Sequence, residues 1–133
     1  MANPALSTTI RANFVNDIRT QAGSGCKLKH YTSPRPASGA SITTQTLLCT
    51  HTWSAYVANT SSDGVLTGIL PPDATPVANG DAAWCRLESS GGTFVADFDE
   101  ATSGTNAVVV SSVTYNTAIP AKVLSFNITA PNA

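Results

Sequence analysis

The stretch Trp84-Cys85-Arg86-Leu87-Glu88-Ser89-Ser90-Gly91-Gly92-Thr93-Phe94-Val95-Ala96-Asp97-Phe98 sets the fold class of this chain. Two runs of alternating apolar and polar residues flank four small turn-forming residues, the pattern of a β-hairpin. Opposing Glu88 with Thr93 puts Leu87 across from Phe94 and Cys85 across from Ala96, which makes one apolar face. Trp84, Arg86, Val95 and Asp97 then share the other face, with Arg86 across from Val95 and diagonal to Asp97. A partly buried arginine needs its charge matched, so an Arg86 to Asp97 ion pair lying against Trp84 is expected.

The same period of two runs through everything after Gly25. Strands are expected near 26–32, 46–53, 64–70, 82–88, 93–99, 106–111 and 122–130, with weaker candidates at 55–58 and 113–116. The last run alternates most cleanly, with Leu124, Phe126 and Ile128 on a core face and Ser125, Asn127 and Thr129 on a hydroxyl-rich one. So many short strands between Gly, Pro, Asn and Ser clusters predict a mainly β fold, an antiparallel β-sandwich of jelly-roll-like type.

Ahead of the β body the period changes. From Pro4 to Ala22 the larger apolar residues fall at Leu6, Ile10, Phe14, Val15 and Ile18, one face of an α-helix, with Arg11 and Arg19 off that stripe. Asn3-Pro4 supplies a cap and a proline suited to the first turn, and Gly23-Ser24-Gly25 supplies the stop. The stripe is expected to lie on the chain's own sheet; the alternative is an arm that docks on a neighbouring subunit. Residues 1–25 are thus read as the helix with its stop and 26–133 as the sandwich, within a single domain; 133 residues with 42% hydrophobic content are enough for one core.

Charge is scarce: Asp, Glu, Lys and Arg make up 11% of the chain, against roughly 25% in an ordinary soluble domain. Ser and Thr take the surface role, as in Ser41-Ile42-Thr43-Thr44-Gln45-Thr46 and Thr60-Ser61-Ser62. A surface without same-sign repulsion or long, entropy-rich Lys and Glu side chains suits coverage by other subunits. The seven basic residues are scattered and the net charge is -1, so no nucleic-acid partner is expected. No apolar run approaches the ~20 residues of a membrane span, and the N-terminus lacks signal-peptide order, so no membrane role and no export are expected. The sequons at Asn59 and Asn127 are accordingly read as chance.

Three cysteines, Cys26, Cys49 and Cys85, show no CxxC spacing and read as buried free thiols. One sharper arrangement exists. Cys26 and His30 would share one strand face, as would Cys49 and His51, so pairing those strands would gather two thiolates and two imidazoles. The register that this needs is not fixed by sequence. Asp97, Asp99 and Glu100 offer a carboxylate pair or a fragment of a calcium loop, but the EF-hand spacing and its glycine are missing. There is no HExxH, GxSxG, GxGxxG or phosphate-binding loop with its lysine. Trp53, Tyr56 and Trp84 are the aromatics that could stack on a sugar. No catalytic, cofactor-binding or metal-ligating residue is assigned, and no enzyme is expected.

Several stretches, in order, resemble small structural proteins of tailed bacteriophages. They are the helix ending at Gly23-Ser24-Gly25, the strand and loop Leu28-Lys29-His30-Tyr31-Thr32-Ser33-Pro34-Arg35-Pro36, then Leu47-Leu48-Cys49-Thr50, and Trp84 to Gly92. Asp63-Gly64-Val65-Leu66 and Leu124 to Thr129 fit the same pattern. Cys49 and Cys85 depart from it, standing where ordinary apolar residues are expected, and the 71–79 loop with Pro71, Pro72 and Pro76 is unusually proline-rich. The resemblance implies a virion component: a capsid decoration or cement protein that binds across major capsid protein subunits, or else a tail or neck part. It implies a homo-oligomer, dimer or trimer, made in the host cytoplasm, with no cofactor. The helix, the 32–45 segment and the 71–81 loop are the candidate contact elements. A carbohydrate-binding or host-attachment module is the other reading, and it requires Trp53 and Trp84 to be exposed.

Overall fold

The computed structural model describes residues 5–37 and 39–131, so the Asn3-Pro4 cap lies outside the described residues. The chain runs as helix α1 (Thr8–Ala22) followed by strands β1 (Lys27–Tyr31), β2 (Leu47–Thr52), β3 (Val65–Thr67), β4 (Gly80–Asp81) and β5 (Trp84–Glu88). It closes with β6 (Phe94–Ala101), β7 (Val108–Val110), β8 (Thr114–Tyr115) and β9 (Val123–Thr129). The fold is mainly β with one N-terminal helix, as the periodicity predicts.

Seven strands form one continuous sheet in the order β2-β1-β5-β6-β7-β9-β3, and β4 pairs with β8 in a separate ribbon. Every pairing is antiparallel except β6 with β7, where the chain loops out over 102–107 and rejoins in the same direction for two residue pairs. The sheet curls until its two edges meet. Trp53, just past edge strand β2, donates its indole N–H to the carbonyl of Ile69, just past edge strand β3, at 2.6 Å. Its ring packs edge-on against Phe126 of β9, with centroids 5.7 Å apart. Inside the curl, Leu28, Leu66, Leu87, Val108, Phe126 and Ile128 share one buried core.

At the seam between the edges Gly68 is required. Its N–H bonds the Phe126 carbonyl at 2.5 Å, and a methyl group there would overlap that oxygen and the Phe126 ring.

The helix begins one turn later than expected. Ser7 caps it, its hydroxyl accepting from the Ile10 N–H at 3.2 Å, and Gly23, at φ +70°, ends it. Its buried face is also rotated from the expected stripe. Ala12, Val15 and Ala22 are buried, while Ile10 and Phe14 stand 54% and 49% exposed. Arg19, expected off the face, donates to the Ala58 carbonyl at 2.7 Å and stacks on Tyr56 at 3.9 Å. Small residues let the helix lie close to β3 and β6, and the long arginine stem covers apolar surface with its charge satisfied. The helix therefore docks on its own body, through Ala12, Val15 and Ala22, with Ile18 of the expected stripe partly buried beside them.

Two bulges shift the expected faces. A bulge in β6 makes Glu88 oppose Phe94 and Leu87 oppose Ala96, so Val95 turns to the core and Phe94 to the Arg86 face, the reverse of the simple register. In β9 Val110 opposes Val123 where the regular ladder would bring Leu124, so Val123 is buried and Leu124 exposed.

Candidate functional site

Among the described residues, two polar groupings are buried, one on each side of the sheet. On the outer side, Arg86 makes parallel hydrogen bonds to Asp97, Nε to Oδ1 at 2.7 Å and Nη2 to Oδ2 at 2.9 Å. Its guanidinium lies 5.4 Å from the Trp84 ring and 5.0 Å from Phe94, and Tyr31 stacks on Trp84. The ion pair forms as expected, but the bulge places Asp97 directly across from Arg86 and not diagonal to it. The 32–45 segment folds along this side: the Trp84 indole donates to the Thr32 carbonyl at 2.9 Å, and Arg35 pairs with Asp99 at 3.2 Å. These bonds satisfy charges and polar groups that no ligand is needed to match.

The inner grouping is of another kind. His30 on β1 stands across from Cys49 on β2 and from Cys85 on β5. Strand alternation therefore turns His30, Cys49, His51 and Cys85 to the same inner face. Glu100, near the end of β6, reaches that face from the far side, and Tyr115 on β8 covers it. His30 Nε2 lies 2.9 Å from His51 Nδ1, His30 Nδ1 lies 2.7 Å from Glu100 Oε2, and the Tyr115 hydroxyl lies 3.0 Å from His30 Nδ1. Both imidazoles and the Glu100 carboxylate are fully buried.

Donor counting fixes most of the protons. His51 Nε2 lies 3.1 Å from the Ala121 carbonyl, which only accepts, so that nitrogen carries hydrogen. His51 is neutral: burial, and then the neighbouring His30, push it down to about 4. Its Nδ1 must then accept from His30 Nε2–H, which leaves one proton to be shared between His30 Nδ1 and Glu100 Oε2. The other carboxylate oxygen, Glu100 Oε1, is buried and has no hydrogen-bond partner among the described residues. Burial holds the Cys85 thiol well above its ordinary value, Glu100 adding to the effect, and pushes Cys49 up to about 11. The Tyr115 hydroxyl is likewise raised, by burial first and Glu100 next.

The arrangement differs from the one the sequence suggested. His30 and His51 do meet, whereas Cys49 stands across the ladder from His30 with its thiol 3.8 Å from the Ala74 carbonyl, Cys26 lies apart in the apolar core, and Cys85 is the cysteine that joins His30. Asp97, Asp99 and Glu100 form no carboxylate pair, because Asp97 bonds Arg86, Asp99 bonds Arg35, and Glu100 alone turns inward. Alternation along β6 carries that separation and is legible in the sequence. The pairing of β1 with β5 and the arrival of Tyr115 are long-range matters that no local pattern encodes. Trp53 and Trp84, at 3% and 0% exposed, form no platform for a sugar. Tyr56 is exposed, with the Arg19 guanidinium over its ring.

No family model, curated protein or solved structure matches the chain.

Proposed function

We propose that this protein is a structural component of a tailed-phage virion, a capsid decoration or cement protein that binds across neighbouring coat subunits and stabilises the head. The observation that carries this reading is the helix, which docks through Ala12, Val15 and Ala22 and leaves Ile10 and Phe14, one turn apart, facing solvent. Val77, in the proline-rich loop, and Ile119 are still more exposed, at 67% and 63%. Their two segments are bridged at Ala74 and Ala121. Large apolar groups on a surface with so few charges favour coverage in an assembly.

The physics of such a role is additive. Each contact buries a modest neutral surface, which avoids the far larger cost of stripping water from unpaired charges. Repetition by capsid symmetry holds every further contact at high effective concentration, so modest interfaces sum to a firm attachment. The proline-rich loop, with Pro71 and Pro76 already buried, loses little further freedom on docking. No catalysis is assigned. A surface cavity of about 120 Å³ beside Tyr115 falls short of the roughly 300–1,000 Å³ of small-molecule sites.

The test is the copy number of this chain in purified particles, measured by quantitative peptide mass spectrometry against the major coat protein. Parity, or a simple fraction set by capsid symmetry, is the expected result. A single ring's worth of copies moves the protein to the tail or neck, and absence from particles overturns the virion reading.

A further inference from the structure

One ligand atom each from His30, Cys85 and Glu100 lies within 4.8 Å of the other two, and all three residues are buried. We propose that this cluster binds one late first-row divalent ion, Zn²⁺ in the first instance, through His30 Nδ1, Cys85 Sγ and the Glu100 carboxylate.

Four observations converge on that assignment. The first is the orphaned oxygen: Glu100 Oε1, on a side chain with no exposed surface, has no hydrogen-bond partner among the described residues. A buried carboxylate oxygen without a partner is costly, and a cation supplies one.

The second is charge. With Cys85 as thiolate, Glu100 as carboxylate and His30 neutral, the ligands carry two negative charges, which a divalent ion cancels with no net charge left in the core. The proton balance is closed: the ion displaces the Cys85 thiol proton and the one shared by His30 and Glu100, and both go to solvent.

The third is orientation. His30 Nε2 is engaged by His51 Nδ1, and His51 is anchored in turn on the Ala121 carbonyl. That chain aims Nδ1 at Glu100, as the outer hydrogen bond of a metal-bound imidazole does. His51 is thus a positioning residue. The fourth is proximity to the surface: Tyr115 and Ala121, which hydrogen-bond groups of the cluster, also line the surface cavity together with Ser112, Thr114 and Asn116.

The donor set selects the ion. A thiol and an imidazole beside one carboxylate suit Zn²⁺ and its neighbours, whereas Ca²⁺ and Mg²⁺ take oxygen ligands. Neighbouring ligand atoms around a tetrahedral ion sit roughly 3.3–3.7 Å apart, so binding must open the 2.7 Å contact between His30 Nδ1 and Glu100 Oε2 and bring Cys85 Sγ, within 4.8 Å of both ligand atoms, closer to them. The Tyr115 hydroxyl, 3.0 Å from Nδ1 and 3.5 Å from Glu100 Oε2, lies beside two of the three ligands.

The inference is independent of the virion role and has its own test. The full chain is unfolded with a chelator, refolded with excess Zn²⁺ or Co²⁺, and desalted. Elemental analysis is expected to find one ion per chain, the Co²⁺ form to show a thiolate-to-metal charge-transfer band, and refolding without metal to lower the melting temperature. Cys85→Ser and Glu100→Gln are each expected to lose the ion, and Cys85→Ser the band, while Cys26→Ser keeps both. Circular dichroism reports whether each variant has folded; if one has not, the wild-type stoichiometry decides. Wild type refolding without a retained ion, or a band that survives Cys85→Ser, overturns the proposal in favour of a hydrogen-bonded network alone.

Discussion

Arg86 and Asp97 face each other directly across the β5–β6 ladder and share two hydrogen bonds, at 2.7 and 2.9 Å, with both side chains almost fully buried. Removing one partner leaves the other charge stranded. Asp97→Ala is expected to cost about 3–5 kcal/mol, and the double replacement Arg86→Met with Asp97→Leu much less, because it strands nothing. Urea denaturation of the two variants measures both. A single mutant as stable as the double one would mean that the guanidinium finds water where the structure shows aromatic rings.

The rotated helix face gives a paired comparison. Phe14→Ser, on the exposed side, is expected to change stability by no more than about 0.5 kcal/mol, and Val15→Ala, in the core, to cost about 2 kcal/mol. Sequence periodicity alone placed both residues on one stripe, so equal losses would restore the original helix orientation.

Gly68 closes the seam between the sheet edges. Gly68→Ala is expected to destabilise by about 1–3 kcal/mol, since the added methyl meets the Phe126 carbonyl and ring and the sheet must shift to admit it. Gly92 has nothing within contact distance of an added methyl group, but its φ of +88° brings strain of its own. Hydrogen exchange at the Gly68 and Ile69 amides separates the two effects, speeding only in Gly68→Ala.

Burial raises the Cys26 thiol above its ordinary value of 9.0. Above that pH the unfolded thiol ionises while the folded one stays protonated, so the folded state binds more protons there. Its stability contribution is complete below pH 9.0 and declines as the pH rises toward the folded value. The advantage of wild type over Cys26→Ala, measured by denaturation, is therefore expected to hold below pH 9.0 and to shrink as the pH rises above it. An advantage that grows with pH would contradict the burial of this thiol.

Much of the fold was legible from local pattern. Alternation located the β5–β6 hairpin and its ion pair, and the glycines at 23 and 25 marked the helix stop. Where strand faces departed from simple alternation, a single inserted residue was the cause. The bulge at Val95 exchanges the faces of Phe94 and Val95, and the one near Leu124 sends that leucine outward. Alternation has no memory of a bulge, because one extra residue reverses the parity of everything beyond it.

The inner cluster divides along the same line. The sequence by itself determined that His30 lies on the face of Leu28, that Cys49 and His51 share a face, and that Glu100 points away from Asp97 and Asp99, since neighbours along a strand alternate by geometry. Only the tertiary structure decided that these faces meet, that Cys85 and not Cys26 joins them, and that Tyr115 closes them off. Those contacts join residues 15 to 85 positions apart, and they depend on strand order and curl, which follow from how the whole core packs.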